Sequence, residues 1–162
     1  MELLGKVGRR AVYYLAIRNN PAWKTSLPSE EWIVFTVANE ADREMIHPVA
    51  KACIDHKAGA ICCAGELAHF TEQAFEEEIV WRKLDEEIDM PLTTASKNFD
   101  EEFWMACREM GPYQTSPVLL CIDMTGKKVR NYLKALIPKI NEGWTPSEEA
   151  YVSPNYDEEE QS

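Results

Sequence analysis

Apolar residues in this chain fall into three short continuous runs and several stretches with helical spacing. The runs cover residues 32–38, 60–64 and 118–122, and each is bounded by polar or turn-forming residues. A short run without alternation is typical of a strand that is covered on both faces, as in a parallel sheet. The sequence therefore predicts three buried strands.

After each of these runs, apolar residues recur at the spacing of a helix. A helix is expected after Asn39, with a start only near Pro48 as the alternative, because proline suits a first helical turn and disrupts a helix interior. A long acidic helix over 66–88 follows the second run, and a helix capped by Asp100 extends to Met110. A last helix begins after Gly126.

The N-terminal part is also predicted to be helical. Leu4, Val7, Ala11 and Leu15 recur at helical spacing, so we expect a helix over residues 9–18. Connecting loops are predicted where proline, serine and threonine cluster, over 19–31 and over 89–99.

This order of elements predicts an α/β protein, because parallel neighbours need crossover helices. We expect a three-layer α/β/α sandwich with a small, mostly parallel sheet, Rossmann-like in character. Residues 1–144 form the single predicted domain. Residues 145–162 are too polar to bury much surface, so we expect a flexible acidic tail.

Composition narrows the classes of protein that fit. No apolar stretch approaches the roughly 18 residues of a membrane span, and no cleavable secretion signal is recognised, so a cytoplasmic location and no membrane partner are predicted. Five cysteines, an odd number, lie inside apolar segments. They are interpreted as buried thiols rather than as disulfides or zinc ligands.

Charge is distributed unevenly along the chain. The net charge is -11; residues 66–102 hold twelve acids and three bases, whereas residues 1–65 hold seven acids and eight bases. A field of this sign repels phosphate backbones, which argues against nucleic acid and favours a basic protein as partner. The acidic helix would present Glu72, Glu76 and Glu77 to that partner. Its predicted buried stripe consists of Leu67, Phe70, Ala74, Trp81, Leu84 and Ile88.

Candidate catalytic residues follow the ends of the predicted strands. Carboxyl ends of parallel strands share one edge of a sheet, so Glu66, His69, Asp123 and Thr125 should lie along that edge. Glu66 could act as a general base and His69 could transfer a proton near neutral pH. Asp123 or Thr125 would position the ligand.

Known site motifs fit the chain poorly. Glu66 with His69 has the Glu-x-x-His spacing of di-iron bundles, but the further glutamates on other long helices are missing. Thr125-Gly126-Lys127-Lys128 departs from the Walker A pattern, which needs Ser or Thr where Lys128 stands. We therefore predict no metal and no cofactor.

Because no known site motif fits, we retain two hypotheses for the function of the protein. The first is an intracellular, non-catalytic protein-binding module of the inhibitor or immunity type, which presents an acidic helix to a basic partner protein. The alternative is a small Rossmann-like hydrolase or transferase that acts on a nucleotide-like or other polar small molecule through Glu66 and His69. A structural subunit of a larger assembly is a third possibility, and the oligomeric state is left open.

Overall fold

A single sheet organises the fold. The computed structural model describes residues 1–85, 90–110, 115–149 and 152. Within these residues the sheet has six strands in the spatial order β1-β2-β6-β3-β4-β5; β1 is antiparallel to β2, and the other neighbours are parallel. The strands are β1 Glu2–Val7, β2 Arg10–Ala16, β3 Trp32–Val37, β4 Ala60–Ala64, β5 Leu92–Ala95 and β6 Val118–Asp123.

Helices supply side chains to both faces of the sheet. They are α1 Arg43–Asp55, α2 Ala68–Asp85, α3 Phe99–Arg108 and α4 Arg130–Asn141. One buried cluster joins Val34 of β3 to side chains of α1 and α2, and another joins Phe35 to side chains of α3 and α4. Successive strand residues point to opposite faces, so the two clusters lie on opposite sides of the sheet. The predicted α/β class and mostly parallel sheet are confirmed.

The three predicted strands are confirmed as β3, β4 and β6. All of their residues are buried except Val118, which is half-buried. The last of them along the chain lies in the middle of the sheet, between β2 and β3. This placement explains the continuous apolar run of 118–122, because a central strand is covered on both faces.

The helix predicted over 9–18 is wrong. Residues 1–16 form the hairpin of β1 and β2, joined by a two-residue turn in which Gly8 has a φ of +57°. A β-bulge between Leu3 and Gly5 breaks the alternation of β1. Leu4 and Val7 consequently reach the same buried cluster at a spacing of three. That spacing imitates a helix, which is why periodicity misassigned this segment.

The loop predicted over 89–99 is also wrong in part. Leu92–Ala95 form β5, which pairs in parallel with β4 at the edge of the sheet. Its residues are exposed or half-buried. An edge strand of this kind lacks the continuous apolar run that identified the central strands.

The helix expected after Asn39 is found, whereas one predicted cap differs. α1 begins at Arg43, so the alternative start near Pro48 is wrong and Pro48 lies inside the helix. α3 is capped by Asn98, whose Oδ1 accepts a hydrogen bond from the Glu101 N–H at 3.1 Å, and not by Asp100. The predicted end of the acidic helix at 86–88 and most of the predicted tail lie outside the described residues.

Gly65 is required where β4 turns into α2. Its φ is +94°, and a Cβ at this position would lie 2.4 Å from the Ala38 carbonyl oxygen. That oxygen accepts the Leu67 N–H at 3.0 Å. The close approach of the two chain segments ties the start of α2 to the end of β3.

Arg10 joins the hairpin to α3. Its side chain is buried; Nη1 donates to the Ala106 carbonyl at 2.6 Å and Nε donates to the Ser116 carbonyl at 2.9 Å. A cation is favourable at the C-terminal end of a helix, where carbonyl groups lack partners. Burial lowers the pKa of Arg10 from its ordinary value.

We predict that Arg10→Met lowers the free energy of unfolding by about 3 kcal/mol, because buried carbonyl groups then lose charged donors. Urea unfolding followed by circular dichroism measures the change. The control is Arg9→Met, which removes the same charge from an exposed neighbour. An equal loss of stability in both variants would contradict this role of Arg10.

Candidate functional site

A large cavity opens where the connections leave the sheet in opposite directions. β3 leads to α1 on one face, whereas its neighbour β6 leads to α4 on the other. Ligands of open α/β sheets bind in the crevice outside the carboxyl ends of the strands at such a point. Here the cavity has a volume of about 820 Å³. We call it the edge cavity; its lining residues are Ala16, Arg18, Asn19, Asn20, Asn39, Ala41, Asp42, Thr125, Gly126, Lys127 and Lys128.

Strand register explains which residues meet at the edge cavity. Ala16, Val37 and Asp123 are paired across the neighbouring strands β2, β3 and β6. Each of these residues is the last of its strand. Arg18, Asn39 and Thr125 follow two positions after them, and all three line the cavity. Residues from three distant parts of the chain thus form one wall.

Asp123 supports this wall from beneath. Its carboxylate is buried and accepts hydrogen bonds from the Tyr14 hydroxyl at 2.6 Å, the Thr125 N–H at 2.8 Å and the Thr125 hydroxyl at 2.5 Å. Burial and the neighbouring Asp123 raise the pKa of Tyr14. Of the two residues predicted to position a ligand, Thr125 therefore lines the cavity, while Asp123 holds the turn that carries Thr125.

An ion pair and two lysines set the charge of the edge cavity. Arg18 pairs with Asp42, whose other oxygen accepts the Asn39 N–H at 2.8 Å. Lys127 and Lys128 are exposed at the mouth of the cavity, and neither forms an ion pair with any residue that the structure describes. Because Arg18 and Asp42 offset each other, the two lysines leave the cavity with net positive charge.

Glu66 and His69 lie along the same edge, one strand further on. Val37 pairs with Ala64 of β4, so Glu66 follows that strand by the same two positions. Both side chains are exposed, and neither lines the edge cavity. The backbone N–H of Glu66 donates to Asn39 Oδ1 at 3.1 Å. Their catalytic role stays a prediction.

The acidic helix exposes more than carboxylates. Glu76 and Glu77 of α2 are exposed, and Glu72 is half-buried. The predicted burial of Trp81 and Leu84 is wrong, because these side chains are 67% and 72% exposed. The predicted burial of Leu67 and Ala74 is confirmed, Phe70 is half-buried, and Ile88 lies outside the described residues. Described residues of α2 that are also buried are Ala68, Thr71, Phe75 and Ile79.

The orientation of α2 about its own axis explains the exposure. Thr71, Phe75 and Ile79 follow one another at intervals of four along the buried face of the helix. Trp81 and Leu84 lie on the outer face, where every third or fourth residue from Gln73 onward is exposed. We call this outer face the α2 stripe; it lines a shallow groove of about 350 Å³ and consists of Gln73, Glu76, Glu77, Val80, Trp81 and Leu84.

Glu102 is a buried acid that sequence analysis missed. Its carboxylate accepts hydrogen bonds from the Thr94 hydroxyl at 3.1 and 3.2 Å. Burial raises the pKa of Glu102 to about 7, against the opposing effect of the Thr94 hydroxyl. Its spacing from Phe99, Phe103 and Ala106 places it on the inner face of α3, which is the signal that could have revealed it.

Neither the cysteines nor the metal-ligating side chains of the described residues form a second centre. The five free cysteines are all buried, as predicted, and burial raises the pKa of each thiol, so none is prepared to act as a thiolate. Among the described residues, no group of three or more His, Cys, Asp or Glu side chains could hold a metal ion. In the same part of the chain, no helix has both the length and the apolar character needed to cross a membrane.

Comparison with known proteins places the chain in a family. Residues 11–140 match the model of DUF7684, a domain of unknown function. The chain belongs to this family. The matched region contains the whole edge cavity and all of α2. No curated protein and no solved structure matches the chain.

We predict that Glu102 makes this family member less stable as the pH rises. The folded pKa of about 7 lies above the ordinary value of 4.5, so the stability associated with this group is complete below pH 4.5 and is lost by about pH 7. The loss amounts to about 3 kcal/mol. Urea unfolding at pH 4 and pH 8 measures it.

Glu102→Gln should remove this part of the pH dependence and be more stable than wild type at pH 8. The matched control is Glu101→Gln, an exposed neighbour on the same helix, which should unfold with the wild-type pH dependence. A Glu102→Gln profile parallel to that of wild type would show that the buried carboxyl does not titrate in this range.

Proposed function

We propose that the protein is an intracellular protein-binding module of the inhibitor or immunity type, which presents the α2 stripe to a basic partner protein. One observation carries the proposal. Val80, Trp81 and Leu84 are 57%, 67% and 72% exposed, and they share a stripe with Glu76 and Glu77.

Apolar side chains clustered on a protein surface mark interaction sites. Tryptophan is a frequent anchor of protein interfaces because its large ring contributes much of the binding energy when it is buried in a partner. On α2, Trp81 lies between Val80 and Leu84, at spacings that place all three on one side of the helix. An amphipathic helix of this type fits a hydrophobic groove.

The acids beside these side chains indicate the charge of the partner. Glu76 and Glu77 precede the apolar residues on the α2 stripe, within the segment 66–102 that carries twelve acids and three bases. Opposite charges steer two proteins toward each other and discriminate against partners of like charge. The partner therefore combines an apolar groove with a rim of Lys and Arg.

The proposal includes an intracellular location. All five cysteines are free and buried, which is typical of proteins in a reducing compartment, because disulfides form mainly in oxidising ones. We also propose that the architecture is a three-layer, Rossmann-like sandwich. Two buried clusters, one with side chains of α1 and α2 and one with side chains of α3 and α4, support this arrangement.

A second candidate function is catalysis at the carboxyl edge of the sheet. In this hypothesis a small hydrolase or transferase acts on a nucleotide-like or other polar small molecule, with Glu66 and His69 as its catalytic residues. The edge cavity favours a small-molecule site at this edge, because its volume of about 820 Å³ is that of such a site, although Glu66 and His69 lie one strand away from its lining.

Partner capture at low salt, followed by measurements on the purified pair, tests the protein-binding proposal. We expect Trp81→Ala to weaken the complex by about tenfold or more. Glu76→Lys combined with Glu77→Lys should slow association, and rising salt should reduce that difference. Stopped-flow fluorescence and titration calorimetry give the rates and the affinity.

The matched control is Glu109→Lys combined with Glu142→Lys, which makes the same change of charge at exposed positions after α3 and α4. This control should bind almost as wild type does. A purified partner that binds wild type, Trp81→Ala and the double α2 variant equally well, at every salt concentration, would refute the proposal.

A further inference from the structure

A second cavity adjoins the edge cavity. It has a volume of about 370 Å³ and shares Arg18, Asn19 and Asn20 with the larger cavity. The rest of its lining is mostly apolar and consists of Ile17, Pro21, Trp23, Glu44, Met45 and Pro48. We call it the Trp23 cavity. The two cavities together provide a polar compartment next to an apolar one.

The polar compartment is suited to an anionic group. Lys127 and Lys128 contribute two positive charges, and Arg18 and Asp42 offset each other. Residues 124–141 contain five bases and no acid, and two of these bases, Lys127 and Lys128, line the cavity. In a protein with a net charge of -11, the segment after β6 therefore gives this cavity a positive charge.

Backbone donors reinforce these lysines. The backbone N–H groups of Gly126, Lys127 and Lys128 donate no hydrogen bond to any described residue. Gly126 and Lys127 have φ values of +82° and +74°. Successive free N–H groups beside cationic side chains are a recurrent means of holding phosphate oxygens.

The apolar compartment is suited to a flat ring. Trp23 is half-buried, and Met45 and Pro48 of α1 complete the apolar lining. Glu44, the acid in this lining, would repel a second anionic group. A ligand with one anionic end and one planar end is therefore accepted in a single orientation.

We propose that the edge cavity and the Trp23 cavity together bind a nucleotide, with its phosphates at Lys127 and Lys128 and its base at Trp23. The segment Arg18 to Asn20, which both cavities share, faces the middle of the ligand. This inference goes beyond the protein-binding function. It narrows the substrate of the second candidate from a nucleotide-like or other polar small molecule to a nucleotide and gives the residues that hold it, and binding can be measured without turnover.

Titration calorimetry of the full chain with ATP, tripolyphosphate and adenosine tests the inference without added metal. ATP should bind to saturation. Lys127→Gln combined with Lys128→Gln should weaken ATP and tripolyphosphate by about tenfold and leave adenosine unchanged. Trp23→Ala should weaken ATP and adenosine and leave tripolyphosphate unchanged.

Lys134→Gln combined with Lys139→Gln is the matched control, since it removes the same charge from exposed positions of α4 outside both cavities. Urea unfolding checks each variant, and Trp23→Leu replaces Trp23→Ala if the latter is unstable. ATP that fails to bind at millimolar concentration overturns the inference. So does ATP that the control pair weakens as much as the cavity pair, or tripolyphosphate that binds as tightly as ATP.

The same titration separates this inference from the protein-binding function. Trp81→Ala alters the α2 stripe alone, so it should leave ATP binding at the wild-type level. Failure of ATP binding together with intact partner binding would remove the nucleotide site and retain the protein-binding function.

Discussion

The insertion of β6 between β2 and β3 is the constraint on which the rest of the structure depends. β6 pairs with β2 on one side and with β3 on the other, although the paired residues are 107 and 86 positions apart in the chain. This central position explains why its side chains must be apolar from Leu119 to Ile122. This position also places the carboxyl ends of β3 and β6 side by side. Because the chain continues from β3 to α1 on one face and from β6 to α4 on the other, the edge cavity lies between the two connections.

Buried polar groups stabilise the crowded edge that results. Asp123 is the last residue of β6, and its carboxylate is buried among the Tyr14 hydroxyl, the Thr125 hydroxyl and backbone N–H groups. A buried carboxylate is tolerated only when such donors compensate for lost hydration. Asp42 has an equivalent arrangement after β3, with Arg18 and the Asn39 N–H. The hydrogen bonds of Asp123 and Asp42 therefore stabilise the cavity walls from below, and a ligand would contact the outer surface of these walls.

Opposite charges and different surfaces separate the two candidate sites. The edge cavity draws its lysines from the segment after β6, whereas the acids of the α2 stripe belong to a helix on one face of the sheet. Trp81 and Leu84 lie on the face of α2 opposite the buried Phe75 and Ile79. Because apolar residues occur on more than one face of this helix, several helical spacings fit the sequence, and periodicity alone assigned Trp81 and Leu84 to the core.

The sequence by itself determined the central strands and the distribution of charge. Continuous apolar runs at 32–38, 60–64 and 118–122 identify β3, β4 and β6, because strands covered on both faces require such runs locally. Edge strands carry no equivalent local requirement, and the bulge in β1 imitates helical spacing. Thr125 could be placed at the carboxyl edge because parallel strands share that edge. Only the tertiary structure decided that Arg18, Asp42 and Lys127 share one cavity, because strand order depends on pairing between residues far apart in the chain, which local patterns do not encode.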